Sequence, residues 1–254
     1  MRNYFTLDGV DSRDFGVYLS GQGTFGAPSK AYTYHDVPGR NGALIGSEKR
    51  YNNIEVTYPA FIYANFKQNI SDFRNFLLSR DGYVRLTDTY NSGEFRLASY
   101  VGAFEPDVTK RNDAGSFNIV FNSMPQRFLK SGEEVITASP LTNPTQFDAK
   151  PLMRFNTTMG SFEVVNYDVG NYYYVTITDI SSENVSYVDL DCETMQATSG
   201  EKNLNKYVKI QYRKKPGDSY TEATDYPVLS PGANYVRRSS GNGTWQVTPR
   251  WWKL

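Results

Sequence analysis

A mainly β protein of two domains is what this sequence predicts, and three observations carry that expectation. Tyrosine and phenylalanine number 20 and 15. Most of them sit in short runs of alternating apolar and polar residues punctuated by Gly, Asn, Asp and Pro, the pattern of half-buried strands joined by tight turns. Only one segment, 65–78, has a helical period. The 254 residues exceed one ordinary all-β core and suit two, each burying its own apolar side chains.

In the first half the alternating runs predict strands at 15–19, 31–37, 54–63, 82–87, 94–104 and 116–124. The run that begins at Ser116 stops at Met124-Pro125-Gln126, because proline has no N–H to give a sheet ladder. Arg127-Phe128-Leu129-Lys130-Ser131-Gly132 then reads as a short exit segment and a loop. Between 65 and 78, Phe66, Ile70, Phe73 and Leu77 recur at spacings of four, three and four, which places them on one stripe of an amphipathic helix. Asp81-Gly82 supplies its stop. A lone helix among strands covers one face or end of a sheet, so residues 1–136 are expected to form a β-sandwich with one packed helix. The stretch 137–145 carries Pro140 and Pro144 among small polar residues and is the expected linker. From 146 to 254, strands at 152–156, 161–166, 172–178, 186–191, 207–212, 234–238 and 244–250 predict an antiparallel sandwich.

Charge argues against nucleic acid as the main partner. The chain has 27 basic and 27 acidic residues, and residues 1–136 hold 15 of each sign, leaving 12 of each beyond. A nucleic-acid binder concentrates Lys and Arg to displace counterions from phosphates. Arg213-Lys214-Lys215 is instead the solvated approach to a turn at Pro216-Gly217. One cysteine, Cys192, cannot close an intrachain disulfide, which fits a chain folded in reducing cytoplasm. The first residues contain no apolar h-region and no run approaches the ~20 apolar residues of a membrane span, so a soluble protein without a cleaved signal is expected.

Chemistry is sparse. The single histidine, His35, lies in Tyr32-Thr33-Tyr34-His35-Asp36 and reads as a half-buried strand residue rather than a general base. Gly21-Gln22-Gly23-Thr24-Phe25-Gly26 has the letters of a dinucleotide-binding turn, but Ala27-Pro28-Ser29 leads into a strand where that motif must open a helix. Asp189, Asp191 and Glu193 would share one face of a strand, a geometry that could hold calcium; the simpler expectation is a solvent face with Leu190 and Cys192 turned inward. Walker-type, zinc-ligand and Gly-x-Ser-x-Gly patterns are absent from the sequence. No catalytic, cofactor-binding or metal-binding residue is assigned, and a non-enzyme is expected. Among the aromatic residues, Trp245, Trp251, Trp252 and the Tyr172-Tyr173-Tyr174 run could stack on sugars. Strand alternation makes one of Trp251 and Trp252 core and the other semi-exposed.

Several separated segments share a family likeness. Phe5-Thr6-Leu7-Asp8-Gly9-Val10-Asp11-Ser12, Asp14-Phe15-Gly16-Val17, Val37-Pro38-Gly39-Arg40-Asn41-Gly42 and the Met124-Pro125-Gln126 exit resemble the N-terminal domain of siphophage distal tail proteins. The second half resembles theirs in Asn143-Pro144-Thr145, Lys150-Pro151-Leu152, Asp189-Leu190-Asp191-Cys192-Glu193-Thr194-Met195, Tyr226-Pro227-Val228-Leu229-Ser230-Pro231-Gly232-Ala233-Asn234 and Val247-Thr248-Pro249-Arg250-Trp251-Trp252. The likeness is to baseplate hubs of phages infecting lactococci and related Gram-positive hosts. It implies a cofactor-free homo-hexameric ring at the virion tail tip, made in the bacterial host cytoplasm. In that arrangement the N-terminal domains form a belt around a channel that DNA passes without specific binding, and galectin-like C-terminal sandwiches decorate the outside. Implied partners are the major tail protein, the tail-associated lysin or tail fibre protein, and peripheral baseplate or receptor-binding proteins, without membrane insertion. No extra block corresponds to the carbohydrate-binding insertion of some relatives.

Gly39, Arg40, Asn41 and Gly42 are candidate contacts at a hairpin tip, with Asn-Gly the preferred pair of a two-residue turn. Trp251 and Trp252 are the other candidate contacts. The alternative function is a carbohydrate-binding, lectin-like adhesion module.

Overall fold

A computed structural model describes residues 2–254 apart from Gln22, Thr24 and 110–112. The chain divides into two compact units, Met1–Arg127 with Leu254, and Phe128–Lys253. The first contains β1 (Phe5–Leu7), β2 (Val10–Asp11), β3 (Tyr18–Leu19), β4 (Lys30–His35), β5 (Leu44–Tyr51), β6 (Ile54–Ile62), α1 (Phe66–Leu78), β7 (Val84–Asp88), β8 (Glu94–Tyr100), β9 (Asp107–Thr109) and β10 (Ala114–Ser123). Its main antiparallel sheet runs in the order β2-β1-β7-β8-β10-β6-β3, with β9 beside β10. The central ladder pairs β10 with β6 from Gly115 opposite Ile62 to Ser123 opposite Ile54.

Period-2 burial decides which face carries the core. Val56, Tyr58, Ala60 and Ile62 of β6 are buried together with Phe117, Ile119 and Phe121 of β10. Helix α1 supplies Phe66, Phe73, Phe76 and Leu77 to the same core. Phe73 is its centre, with ring centroids 6.2 Å from Phe5, 6.1 Å from Phe117 and 5.9 Å from Phe15. Phe76, which the sequence stripe did not include, widens the buried face by one position as packing on a sheet requires.

Strand β11 (Arg127–Leu129) begins at the division, and the second unit then contains β12 (Leu141–Asn143), β13 (Leu152–Asn156), β14 (Gly160–Asn166), β15 (Asn171–Ile177), β16 (Val188–Asp191), β17 (Gln196–Ser199), β18 (Lys202–Asn203), β19 (Val208–Arg213), β20 (Thr221–Glu222), β21 (Gly232–Gly241), β22 (Thr244–Thr248) and β23 (Trp252–Lys253). A six-stranded sheet, β12-β21-β14-β15-β19-β20, and a five-stranded sheet, β18-β17-β16-β13-β22, make an antiparallel sandwich. Met153, Phe155, Leu190 and Val247 from one sheet share a core with Phe162, Val164, Val175 and Val236 from the other. The rings of Phe155 and Phe162 meet at 4.4 Å. The exit segment closes on the last strand through the Leu129 amide, which donates to the Trp251 carbonyl at 2.8 Å. Gly132 is required here, since a Cβ on it would lie 2.3 Å from the Trp251 nitrogen.

Several features differ from the sequence expectation: the run at 15–19 is a strand only at Tyr18–Leu19, after a 3-10 turn at Ser12–Phe15, and short strands such as β9, β17 and β20 were not foreseen. The division falls between Arg127 and Phe128, ahead of 137–145, and Leu141–Asn143 within that stretch is a strand paired with β21. Pro140 and Pro144 flank this short edge strand, a position where proline costs no ladder bond. Strand β5 had no counterpart in the sequence reading, because Gly46-Ser47-Glu48-Lys49-Arg50 is polar throughout and a strand exposed on both faces leaves no alternation to read.

Candidate assembly surfaces

Among the described residues, strands β4 and β5 form a two-stranded sheet that joins no other. Its register sets Tyr34 opposite Ile45, His35 opposite Leu44 and Tyr32 opposite Ser47. Tyr32, Tyr34 and Ile45 therefore project from one face, and the Tyr32 and Tyr34 rings meet edge-on at 6.5 Å. Tyr34 is 63% exposed, Ile45 62% and Leu44 46%, while Ala31 is the one buried residue of the pair. An isolated hairpin is marginal in water, and clustered exposed apolar side chains mark a contact surface.

At its tip lie Gly39, Arg40, Asn41 and Gly42, all exposed. The turn is made by Pro38-Gly39 rather than by Asn41-Gly42: the Arg40 amide donates to the Val37 carbonyl at 3.1 Å, and Gly39 has φ of 77°. Proline at the first central position and a left-handed glycine at the second are the requirements of a type II turn. The connection from β4 to β5 is consequently a longer loop than a two-residue turn. His35 is exposed at the end of β4, not half-buried, because the hairpin has no second layer behind it.

Trp251 is 3% exposed and belongs to the core of the second unit, so its ring is turned away from any partner. Trp252 is half-buried, stacked on Phe147 at 4.4 Å, and its Nε1 donates to the Asp148 carbonyl at 3.0 Å. The structure thus separates the two tryptophans and gives them no common sugar-stacking plane. Tyr172 and Tyr173 are buried, and burial pushes the Tyr173 hydroxyl pKa up, helped by Tyr212. Only Tyr174 of that run keeps part of its ring open.

The three carboxylates are not gathered. Strand β16 ends at Asp191, so Glu193 lies beyond it in a turn. Arg154 grips Asp189 with Nε and Nη2 at 2.6 and 2.7 Å, Arg250 grips Asp191 at 2.8 and 3.0 Å, and Lys150 lies 3.5 Å from Glu193. Burial raises the Asp191 pKa, but the hydrogen bond from Arg250 and those from the Glu193 and Thr194 amides outweigh it and leave the carboxyl below its usual range. Among the described residues no group of three His, Cys, Asp or Glu could hold a metal ion. Cys192 is buried, and burial drives its thiol pKa up, which keeps it a protonated core residue. In the glycine-rich loop, Gly21 and Gly23 each have φ of 92° and the chain runs on into β4, so no helix offers amides to a phosphate; Gln22 and Thr24 of that motif lie outside the described residues. No helix among the described residues is long and apolar enough to cross a membrane.

Set against solved structures, the fold has a counterpart over nearly the whole chain. The SPP1 Dit protein, described as a paradigm of the hub adsorption apparatus in Gram-positive infecting phages, superposes with a TM-score of 0.64 at 16% identity, covering 97% of this chain and 98% of that one. The chain has the Dit fold. Components of the phage P2 baseplate in its activated conformation with calcium and with strontium align at TM-scores of 0.46 and 0.45, each at 9% identity and over 97% of this chain. No protein-family model and no curated protein matches the sequence.

The free-standing apolar face of Tyr32, Tyr34 and Ile45 is the surface that sequence reasoning missed. Its signal was present as an alternating Tyr-Thr-Tyr on a strand whose partner was too polar to be recognised.

Proposed function

We propose that this chain is the hub of a phage tail tip or baseplate. In this reading copies close into a hexameric ring through their first units, join the tail tube to the tail-associated lysin or fibre, and carry receptor-binding components on their second units. The observation that supports it most is the Dit fold over 97% of the chain. A second support is the β4–β5 hairpin, whose apolar residues lie in water in a single copy and would be covered by a neighbour in a ring. The role is positional and needs neither a cofactor nor a catalytic group. The 1–136 segment would act as belt and 146–254 as outer decoration, in a virion assembled from protein made in the bacterial cytoplasm.

Light scattering after size exclusion, across a range of concentrations, tests the reading directly. A mass near six times 28.8 kDa supports it. A chain that stays monomeric at every concentration, and remains so when the tail-tube and lysin partners are added, overturns it.

A further inference from the structure

We propose that the solvent-facing side of the six-stranded sheet binds an anionic saccharide, with Arg213 receiving its acid group and the Tyr220 and Tyr174 rings lying beneath its sugar. This goes beyond the hub reading and does not depend on it.

The register assembles the surface. Tyr172 stands opposite Arg213, Tyr174 opposite Gln211, and Glu163 opposite both Tyr174 and Arg237, so these side chains share one face. The alternate residues Val164, Tyr173, Val175 and Val236 point into the core. Tyr220, arriving from the turn after β19, places its ring 5.5 Å from Tyr174. The Arg213 guanidinium lies over both Tyr220, at 4.4 Å, and Tyr172, at 5.4 Å.

Among the described residues, Arg213 is set apart from the other arginines of its unit by having no acceptor for its Nε. Arg154 donates to Asp189, Arg237 to Glu163, Arg238 to the Gly243 carbonyl and Arg250 to Asp191. The Arg213 Nε and the Tyr220 hydroxyl are both buried without a hydrogen-bond partner, whereas Arg213 as a whole keeps part of its surface open. A buried donor left unpaired costs about 1–3 kcal/mol, so an arginine held between two rings with its Nε unused is prepared for a ligand acceptor. A guanidinium fork fits carboxylate or phosphate oxygens. Exposed Lys214 and Lys215 extend the positive charge beside it.

The rest of the face suits a polyhydroxylated ligand. Tyrosine rings offer flat apolar contact to the C–H side of a sugar, and the Glu163–Arg237 pair, at 3.0 Å, offers an acceptor and donors side by side. The Tyr174 hydroxyl donates to Ser239 at 3.4 Å, in a neighbourhood of further hydroxyls. Tyrosine and arginine also anchor protein interfaces, so an acidic protein segment is the competing occupant, and the peptide arm of the test reads it.

The test is calorimetric titration of the full chain with phosphorylated maltoheptaose, unmodified maltoheptaose, inorganic phosphate and a poly-aspartate peptide. The phosphorylated sugar is expected to bind at least about tenfold more tightly than the other three. Arg213→Gln should weaken it by about tenfold or more, the worth of a charged hydrogen bond, in a chain that still unfolds cooperatively. Arg213→Lys, which keeps the charge and loses the fork, should fall between. The proposal is overturned by no binding of the phosphorylated sugar, by equal binding of the peptide or of inorganic phosphate, or by Arg213→Gln or Arg213→Lys binding as the native chain does.

Discussion

Two hairpins of similar length, β4–β5 in the first unit and β14–β15 in the second, show what a strand pair gains from a second layer. In β14–β15 every other residue faces the sandwich core, with Phe162, Val164, Tyr173, Val175 and Ile177 buried. Its turn is also tied down: Asn166 Oδ1 accepts from the Asp168 and Val169 amides at 3.0 and 3.1 Å. The β4–β5 pair has a shorter ladder, irregular between Lys30 and Tyr32, and turns its aromatic residues outward. Backbone pairing alone is worth little net, so the first hairpin is the part of the molecule whose order depends most on what covers it.

The sharpest contrast comes from the cores. Phe73→Ala removes a fully buried ring that touches Phe5, Phe15 and Phe117, and should cost about 3–5 kcal/mol in urea unfolding. Phe162→Ala in the second unit should cost the same order. If each variant lowers a separate transition, the two units unfold independently; one common transition would mean that they unfold as a single cooperative body.

A smaller loss is expected from the Asp191–Arg250 pair, whose side chains are 26% and 32% exposed. Asp191→Asn should cost about 1–3 kcal/mol at neutral pH, because Arg250 loses its charged acceptor. The folded Asp191 pKa is depressed, so its contribution is fully present above the ordinary aspartate value of ~3.9 and is lost as pH falls through the folded value. The stability gap between native and variant chains should accordingly be flat from pH 7 to pH 5 and close below ~3.9. A gap that widened on acidification would contradict the assignment.

Gly39 gives a local effect. Its Cβ would meet nothing, yet its φ of 77° makes any L side chain strained, so Gly39→Ala should cost about 1–2 kcal/mol within the hairpin only. Faster hydrogen exchange of the Arg40 amide is the readout, with the unfolding transition of the unit unmoved.

These contrasts also explain what could be read from the letters alone. The helix at Phe66–Leu78 and the ladder strand Ala114–Ser123 were legible because each buries one face, and burial writes a period into the sequence. Pro125 marked the end of its strand for the same direct reason, a missing donor. Strand β5 was illegible because neither of its faces is buried within one chain, and the division after Arg127 because Pro140 and Pro144 suggest a linker where they bracket an edge strand. Among the candidate residues, two adjacent tryptophans carry no mark of which is core; only the register of β22 and the exit strand decides that Trp251 turns inward. The Arg213 platform could not be foreseen either, since Tyr172, Arg213 and Tyr220 meet only through strand pairing.

The smallest effect on stability should accompany the largest effect on assembly. Tyr34 and Ile45 stand opposite one another with about two thirds of each in water, so the Tyr34→Ser, Ile45→Ser double variant should move the unfolding midpoint by no more than the ~0.5 kcal/mol typical of surface changes. If the hairpin face is a ring contact, the same variant should run as a monomer at concentrations where the native chain is oligomeric, because anchors at an interface carry most of its binding energy. An intact oligomer would move the ring contact elsewhere. A large stability loss in the monomer would show instead that this face packs within a single chain, and would erase the difference between the two hairpins.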